Sequence, residues 1–428
     1  MAGLMRTSDV VYRKDLYPRD FHFPELVQKY ALNIEMLPAI EVNQHNILID
    51  GWHRWTAHRQ EEIEDIKCFV TETSSERELL RLSCERNNTG VKELSESSKR
   101  NMAIRLYDSG LGFPKDVIAK TLSVTQRSVT SYLTDIDKGL RKKRKQKIFD
   151  MYLACYTQDE IAKEVGIVKG GVNEEIRLCS DLEELPKMNK LHAFFNDPEF
   201  KPPIYNVWTF AKKTNAVKHP GNSEQRILEN LLSLYTESFD IVVDPFAGGG
   251  STIDVCKKRL RRYWVSDLTP ITAREDEIRQ MDISVSVPPL NRRWADVSLT
   301  YLDPPYWKQV EGEYSDKDED FANMELDDFR KSVVKVIKSI AQKQSRGVIA
   351  LLMQPTQWKA PDKLFTDHVF DIVNGVNTSR NIILENRISV PYSTEQCNPQ
   401  MVEWAQTNKK LLVISRELVI WRVLPKKG

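Results

Sequence analysis

FDIVVDPFAGGGSTIDVCKKRL, residues 239–260, reads as a strand, a loop and a helix in succession. FDIVVD is a continuous apolar run closed by an acid, the pattern of a parallel strand buried on both faces. Gly248, Gly249 and Gly250 follow, where backbone without a Cβ can approach a ligand closely. STIDVCKKRL then reads as a helix. Such a unit puts Asp244, Pro245, Phe246, Gly248, Gly250, Ser251 and Thr252 where α/β sheets hold cofactors. YWVSD (263–267) is the next strand, and its terminal Asp267 lies 23 residues beyond Asp244. An acid at about that distance accepts hydrogen bonds from ribose hydroxyls.

A glycine-rich loop alone would suit a nicotinamide enzyme equally well. SLTYLDPPYW (298–307) separates the two readings. SLTYL is another buried strand, and Asp303, Pro304, Pro305 and Tyr306 sit at its carboxyl end, opening onto the same crevice. The lone pair of an amino group on an adenine or cytosine ring is delocalised, so that nitrogen is a poor nucleophile. Asp303 can accept one of its N–H bonds and the Pro304 carbonyl the other, in a backbone where proline offers no competing donor. Two fixed acceptors favour a pyramidal nitrogen with its lone pair directed at a methyl donor, and Tyr306 offers a stacking face. Direct transfer of this kind is dominated by positioning. Phe246 and Tyr306 also present aromatic faces to a cationic sulfonium. A duplex hides the nitrogen, so the target base must be flipped out. Carbon-5 cytosine methylation instead needs a thiolate, usually after proline, and the chain has no Pro-Cys dipeptide. Farther on, GVIALLM (347–353), HVFDIVNGV (368–376), KLLVISR (410–416) and ELVIWRV (417–423) are expected to complete the sheet with an antiparallel finishing hairpin.

The 428 residues suffice for two to four domains. The 62 basic and 61 acidic residues nearly cancel, so any basic surface must be local. No apolar run approaches the ~18 residues of a membrane span. The N-terminus lacks a signal-peptide core. Six cysteines are scattered without a CxxC pair, which argues against zinc or a disulfide scaffold. The expectation is a cytoplasmic protein with neither metal nor membrane.

Upstream of the cofactor loop, AIEVNQHNILIDG (39–51) reads as strands around a tight turn, GWHRWTAHRQ (51–60) as a helix opening after Gly51, KCFVTE (67–72) as a strand and SERELLRLSCERNN (75–88) as a helix. Two helix-turn-helix patterns follow. In the first, KDVIAKTL (115–122) and QRSVTSYL (126–133) flank a three-residue turn. In the second, Thr157 and Glu160 form a capping box, Gly166 makes the turn, and a helix runs from about Lys169 to Leu178. A second helix of this kind enters the major groove. Thr125, Gln126, Arg127, Ser128 and Ser131 are its candidate contacts in the first motif, with Lys169, Asn173 and Arg177 in the second. Between them lies KGLRKKRKQK (138–147), with seven basic residues and no acid, including Arg141, Lys142, Lys143 and Arg144. Phosphate contacts by such a run give salt-sensitive, sequence-independent affinity.

On these motifs the stretch from about 200 to 428 resembles the amino-directed DNA methyltransferases. Asp244, Phe246, Gly248 and Gly250 match that family's DPFxGxG motif, Asp267 its ribose-binding acid, and Asp303 to Tyr306 its catalytic motif. Asp282 aligns with an acid near the adenine ring, and Asn222, in KHPGN (218–222), with a cofactor-flanking segment. The resemblance implies S-adenosyl-L-methionine as cofactor, double-stranded DNA as partner, and a Rossmann-like, mostly parallel sheet with an antiparallel finishing strand. Asp-first motifs go mostly with adenine N6, and cytosine N4 stays open. The first 95 residues resemble the ParB N-terminal domain, a small α+β fold with a nucleotide box. Matching positions are Gly51, His53 and Arg54, then Glu85 and Asn87 or Asn88, and CTP is the nucleotide this implies. Trp52 and His53 stand where that family usually has an acid and an arginine. The expected domains are 1–95, ParB-like; 96–190, tandem helix-turn-helix, all-α; and 191–428, methyltransferase. Such fusions resemble those carried by phages and mobile elements. A homodimer is one assembly this allows, and no motif names a restriction partner. The reading from another class is a ParB-like DNA-binding regulator with a vestigial methyltransferase fold.

Overall fold

The computed structural model describes residues 2–19, 23–88, 94–210, 224–308, 321–360, 362–391 and 397–425. The chain divides into two compact units, 1–144 and 145–428.

The first unit holds a sheet of β1 (Gly3–Arg6), β2 (Ile40–Val42), β3 (Leu48–Asp50) and β4 (Asp65–Val70), in the order β1-β4-β2-β3. Its helices are α1 (Pro24–Ala31), α2 (Trp52–Gln60), α3 (Glu76–Asn88), α4 (Glu96–Tyr107), α5 (Lys115–Thr121) and α6 (Gln126–Tyr132). The chain enters α2 through Gly51 at φ +105°, where a Cβ would stand 2.6 Å from Ile40 Cγ2. Only glycine fits that turn. Leu79 and Cys84 of α3 share a core with Met102 and Leu106 of α4, with Ile118 and Leu122, and with Val129 and Leu133. The first helix pair is therefore packed on the α+β part rather than tethered to it.

α7 (Thr134–Leu153) carries the basic run, and the division between the units falls within it. In the second unit α8 (Gln158–Val165) opens on the expected capping box of Thr157 and Glu160 and closes at Gly166, φ +67°. α9 (Lys169–Cys179) completes the pair, with Ile148, Ile161 and Val172 as its core. The residues just before α8 are built into the sheet domain. Arg279 donates to the Ala154 carbonyl at 2.7 Å, and its guanidinium lies 5.1 Å from the Tyr156 ring and 5.2 Å from that of Trp264.

The remaining helices are α10 (Lys187–Ala193), α11 (Gln225–Tyr235), α12 (Ser251–Arg259), α13 (Leu326–Lys343), α14 (His368–Asn377) and α15 (Pro399–Asn408). They surround a seven-stranded sheet of β5 (Ile241–Asp244), β6 (Arg262–Asp267), β7 (Arg279–Gln280), β8 (Val297–Leu302), β9 (Val348–Met353), β10 (Ile382–Pro391) and β11 (Ser415–Val423), ordered β10-β11-β9-β8-β5-β6-β7. β5 to β9 run parallel, β11 is antiparallel to β9, and β10 is antiparallel to β11. Alternation along β5 sends Ile241 and Val243 to a core with α13 and α14, and Val242 to one with α11 and α12. This is the expected α/β, Rossmann-like fold, with helices on both faces. From β5 the chain moves outward to β6 and β7, then crosses to β8. The strand order reverses between β5 and β8, the place where such sheets bind ligands. Among the described residues no helix is long and apolar enough to cross a membrane.

Two expectations for the sheet are corrected. HVFDIVNGV is helix α14, not a strand: Val369, Ile372, Val373 and Val376 are buried, a helical spacing that outweighs the β-branched composition, and Asp367 caps its start. KLLVISR and ELVIWRV do not form the finishing hairpin. One strand, Ser415–Val423, pairs with Ile382–Pro391, and Leu411 is 88% exposed.

Candidate active site

Asp244 ends β5 with its side chain buried. It accepts from the Phe246 N–H at 2.9 Å and from the Thr252 hydroxyl, so it ties the start of the loop to the first turn of α12. Burial pushes its carboxyl up to about 7, with the charges of Asp303 and Asp267 adding to the effect, and these two hydrogen bonds oppose it. Three carboxylates from the ends of β5, β6 and β8 thus share one field.

Between Asp244 and α12, Gly248 and Gly250 adopt φ +48° and +77°. The Gly248 N–H donates to Asp267 Oδ2 at 2.8 Å, and the Thr269 N–H donates to Oδ1 at 3.0 Å. Asp267 thereby holds the glycine loop from the neighbouring strand. Ser251 is the first residue of α12. Pro245, between the two, is buried. Asp282 follows β7 by two residues and accepts from the N–H and hydroxyl of Ser284 at 2.8 and 2.6 Å. Asn222 lies outside the described residues.

Asp303 leaves the end of β8 half-buried, with Pro304 buried behind it. The Tyr301 hydroxyl donates to its Oδ2 at 3.3 Å and that of Tyr306 to its Oδ1 at 3.1 Å. Among the described residues nothing donates to the Pro304 carbonyl. Pro305 and Tyr306 are half-buried, and Phe246 and Tyr306 both pack against the same core. The glycine loop and the Asp303 tetrapeptide therefore meet at the switch point between β5 and β8.

Two residues that the motifs did not flag belong to this site. Tyr301 is one. Arg274 is the other: it donates to the Gly250 carbonyl at 3.1 Å and to both oxygens of Asp254 at 2.8 and 2.9 Å. Neither stands in a recognisable pattern; only the alternation of β8 hinted that Tyr301 faces away from Leu302.

In the ParB-like box, Arg54 donates to the carbonyls of Pro38 and Ala39 at 3.1 and 2.7 Å and to Asp50 at 2.7 Å. Asn87 donates to the carbonyls of Ile49 and Ser83 and accepts from Tyr17. His53 is buried, with its ring stacked on Phe23. Asn88 is buried, and among the described residues its side chain has no hydrogen-bond partner. Glu85 pairs with Arg81 at 3.0 Å.

Among the helix-turn-helix residues, Thr125 caps α6 by accepting from the Ser128 N–H, so these two shape the turn. Gln126, Arg127 and Ser131 are exposed, as are Arg141, Lys142, Lys143 and Arg144. In the second pair Asn173 is exposed, but Lys169 pairs with Asp159 at 2.8 Å and Arg177 with Glu174 at 2.8 Å. Its free positive charge is smaller than the sequence suggested.

Residues 113–270 match the N6/N4 family of DNA methylases. The match takes in both helix pairs and the glycine loop and ends before Asp303. It supports an amino-directed DNA methyltransferase, and with it use of S-adenosyl-L-methionine. No curated protein matches the sequence. Among solved structures, the chain is similar to the partitioning protein ParB of Caulobacter crescentus bound to its parS site, at 14% identity over 42% of this chain and 91% of that one, TM-score 0.25. It is similar to the same protein with CTP-γ-S at 15% identity over 31% and 77%, TM-score 0.19. A 1,6-didemethyltoxoflavin-N1-methyltransferase of Burkholderia thailandensis with S-adenosylhomocysteine matches at 10% identity over 47% and 76%, TM-score 0.28. Likenesses this distant add no argument about the site.

Proposed function

We propose that this chain is an S-adenosyl-L-methionine-dependent DNA methyltransferase acting on the exocyclic N6 of adenine. The observation that carries the reading is the pair of acceptors, the Asp303 carboxylate and the Pro304 carbonyl, beside the glycine loop at the switch point. The residues around that loop fit the cofactor by their chemistry. Asp267 supplies acceptors for ribose hydroxyls, Gly248 and Gly250 admit close approach, and the carboxylates of Asp267 and Asp303 favour a cation. Bound there, the cofactor supplies an electrophilic methyl group on a sulfonium. Asp303 and Pro304 take the two N–H bonds of the amino group and orient its lone pair, and Tyr306 stacks on the base. The target base leaves the duplex to reach them. Cytosine N4 would use the same two acceptors, and the Asp-first motif is what favours adenine.

DNA affinity in this reading comes from the segment 96–190, above all the exposed run Arg141 to Arg144. In the ParB-like box, the inward hydrogen bonds of Arg54 and Asn87 favour a packing role over a CTP site. The setting would be the cytoplasm of a bacterial or phage-infected cell. A complete catalytic tetrapeptide at the switch point favours an enzyme over a regulator. The test is nucleoside analysis of DNA from cells expressing the intact protein or Asp303→Ala. N6-methyladenine only with the intact protein supports the reading; N4-methylcytosine changes the base; no new mark from soluble protein overturns it.

A further inference from the structure

The end of the sheet that bears Asp303, at the carboxyl ends of β8 and β9, carries a second group of side chains. β8 and β9 are parallel, with Leu302 opposite Leu351, so the chain leaves Met353 beside the catalytic loop. β11 begins at Ser415, opposite Pro391, where β10 ends, and Glu417 lies opposite Met353. The segment after Met353 and the one between Pro391 and Ser415, which holds α15, therefore emerge at the same end of the strands. Hydrogen bonds join them to each other and to the site. Gln354 donates to the Val413 carbonyl at 2.8 Å, and Thr356 donates to the carbonyl of Trp307, next to Tyr306, at 2.9 Å.

On this scaffold Trp358 and Trp404 meet edge to face, with centroids 5.5 Å apart and planes at 74°. The Lys363 ammonium lies 4.4 Å from the Trp358 centroid and 5.7 Å from that of Trp404. Phe365, two residues after Lys363 in the chain, is 57% exposed. Among the described residues no carboxylate forms an ion pair with Lys363, while Asp362 accepts from the Leu364 N–H and Asp367 from the Phe370 N–H, each at 3.0 Å. Aromatic faces interleaved with exposed lysines are what a nucleic-acid strand requires, bases stacking and phosphates pairing. Extrusion of a base also leaves its neighbours unstacked, close to the pocket that receives it.

We infer that Trp358, Lys363 and Trp404 form the surface that holds the DNA strand flanking the extruded nucleotide. This rests on the methyltransferase reading, and it assigns part of DNA recognition to the sheet domain itself rather than to the helix-turn-helix segments alone. The experiment irradiates the full-length protein on double-stranded DNA substituted with 5-bromodeoxyuridine and locates the crosslinked peptides. DNA affinity and S-adenosyl-L-methionine affinity are measured alongside for Trp358→Ala, Trp404→Ala and Lys363→Glu. The expected result is crosslinking at Trp358 or Trp404. Each tryptophan variant should bind DNA about tenfold more weakly, the lower range of base stacking on an aromatic ring, with cofactor affinity unchanged. Lys363 is exposed, so Lys363→Glu reads the surface even if a tryptophan variant fails to fold. Crosslinks confined to 115–179, with unchanged DNA affinity in Lys363→Glu, would overturn the surface and leave the enzyme standing. Crosslinks here in a protein that deposits no methyl mark would keep the surface and overturn the enzyme.

Discussion

The Tyr306 hydroxyl donates to Oδ1 of Asp303 at 3.1 Å, while Tyr301 holds the other oxygen at 3.3 Å. The carboxylate is thus gripped from both sides, and each oxygen keeps a second lone pair for an arriving amino group. Tyr301 is buried, and burial, with the neighbouring Asp303 charge, pushes its phenol well above the usual range, so it stays a donor. Tyr301→Phe should lower kcat about tenfold, as expected for a hydrogen bond to a charged group, with cofactor affinity unchanged. Tyr306→Phe should keep the stacking face and lose activity about as far as Tyr301→Phe, whereas Tyr306→Ala should lose the stacking face as well and fall further. Steady-state kinetics on unmethylated DNA separate these outcomes.

Asp244 makes stability depend on pH. Its carboxyl keeps its proton in the fold up to about pH 7, whereas in the unfolded chain it ionises near the ordinary value of 3.8. The folded state binds more protons in that window, so this contribution is fully present below the ordinary value and is lost as pH rises through about 7. Asp244→Asn should flatten that slope in denaturant titrations across the window. Binding of a cation nearby favours the ionised carboxyl, so S-adenosyl-L-methionine affinity of the intact protein should rise from pH 6 to 8.

Gly250 and Arg274 define the loop together. A Cβ on Gly250, at φ +77°, would stand 2.8 Å from Arg274 Cδ. Gly250→Ala should cost about 1–2 kcal/mol of stability from the left-handed backbone alone. It should weaken cofactor binding further, because Arg274 must move off the Gly250 carbonyl. Calorimetric titration checks the binding and thermal unfolding the stability, and Arg274→Ala should reproduce the weaker cofactor binding without the backbone strain.

Arg141, Lys142, Lys143 and Arg144 are exposed on α7. Replacing all four by alanine should weaken DNA binding at every sequence tested and lower the slope of log K against log salt by ~0.9 per lost phosphate contact. Cofactor binding should not change. A DNA affinity insensitive to this change would remove the run from the interface.

Much of this was legible in the sequence. The glycine loop, Asp267 and the Asp303 tetrapeptide declared themselves because each needs particular residue types at a strand end. The helix pairs followed from capping and turn residues such as Thr157 and Gly166. HVFDIVNGV misled because a short β-branched run carries both periods, and only burial of Val369, Ile372 and Val376 decides between them. Arg54 and Lys169 looked available because a sequence does not show which carbonyls and carboxylates the fold brings to them. Arg274 and the Trp358–Trp404 pair were invisible for the same reason, since their contacts join residues 20 or more positions apart, and Tyr301 showed only in the alternation of β8.

The most direct measurement gives purified full-length protein S-adenosyl-L-methionine with an isotopically labelled methyl group and unmethylated DNA, then digests the DNA to nucleosides. The account predicts label in N6-methyladenine, lost in Asp303→Ala while that variant still binds the cofactor. Cofactor binding without any labelled nucleoside, or undiminished labelling by Asp303→Ala, would contradict it.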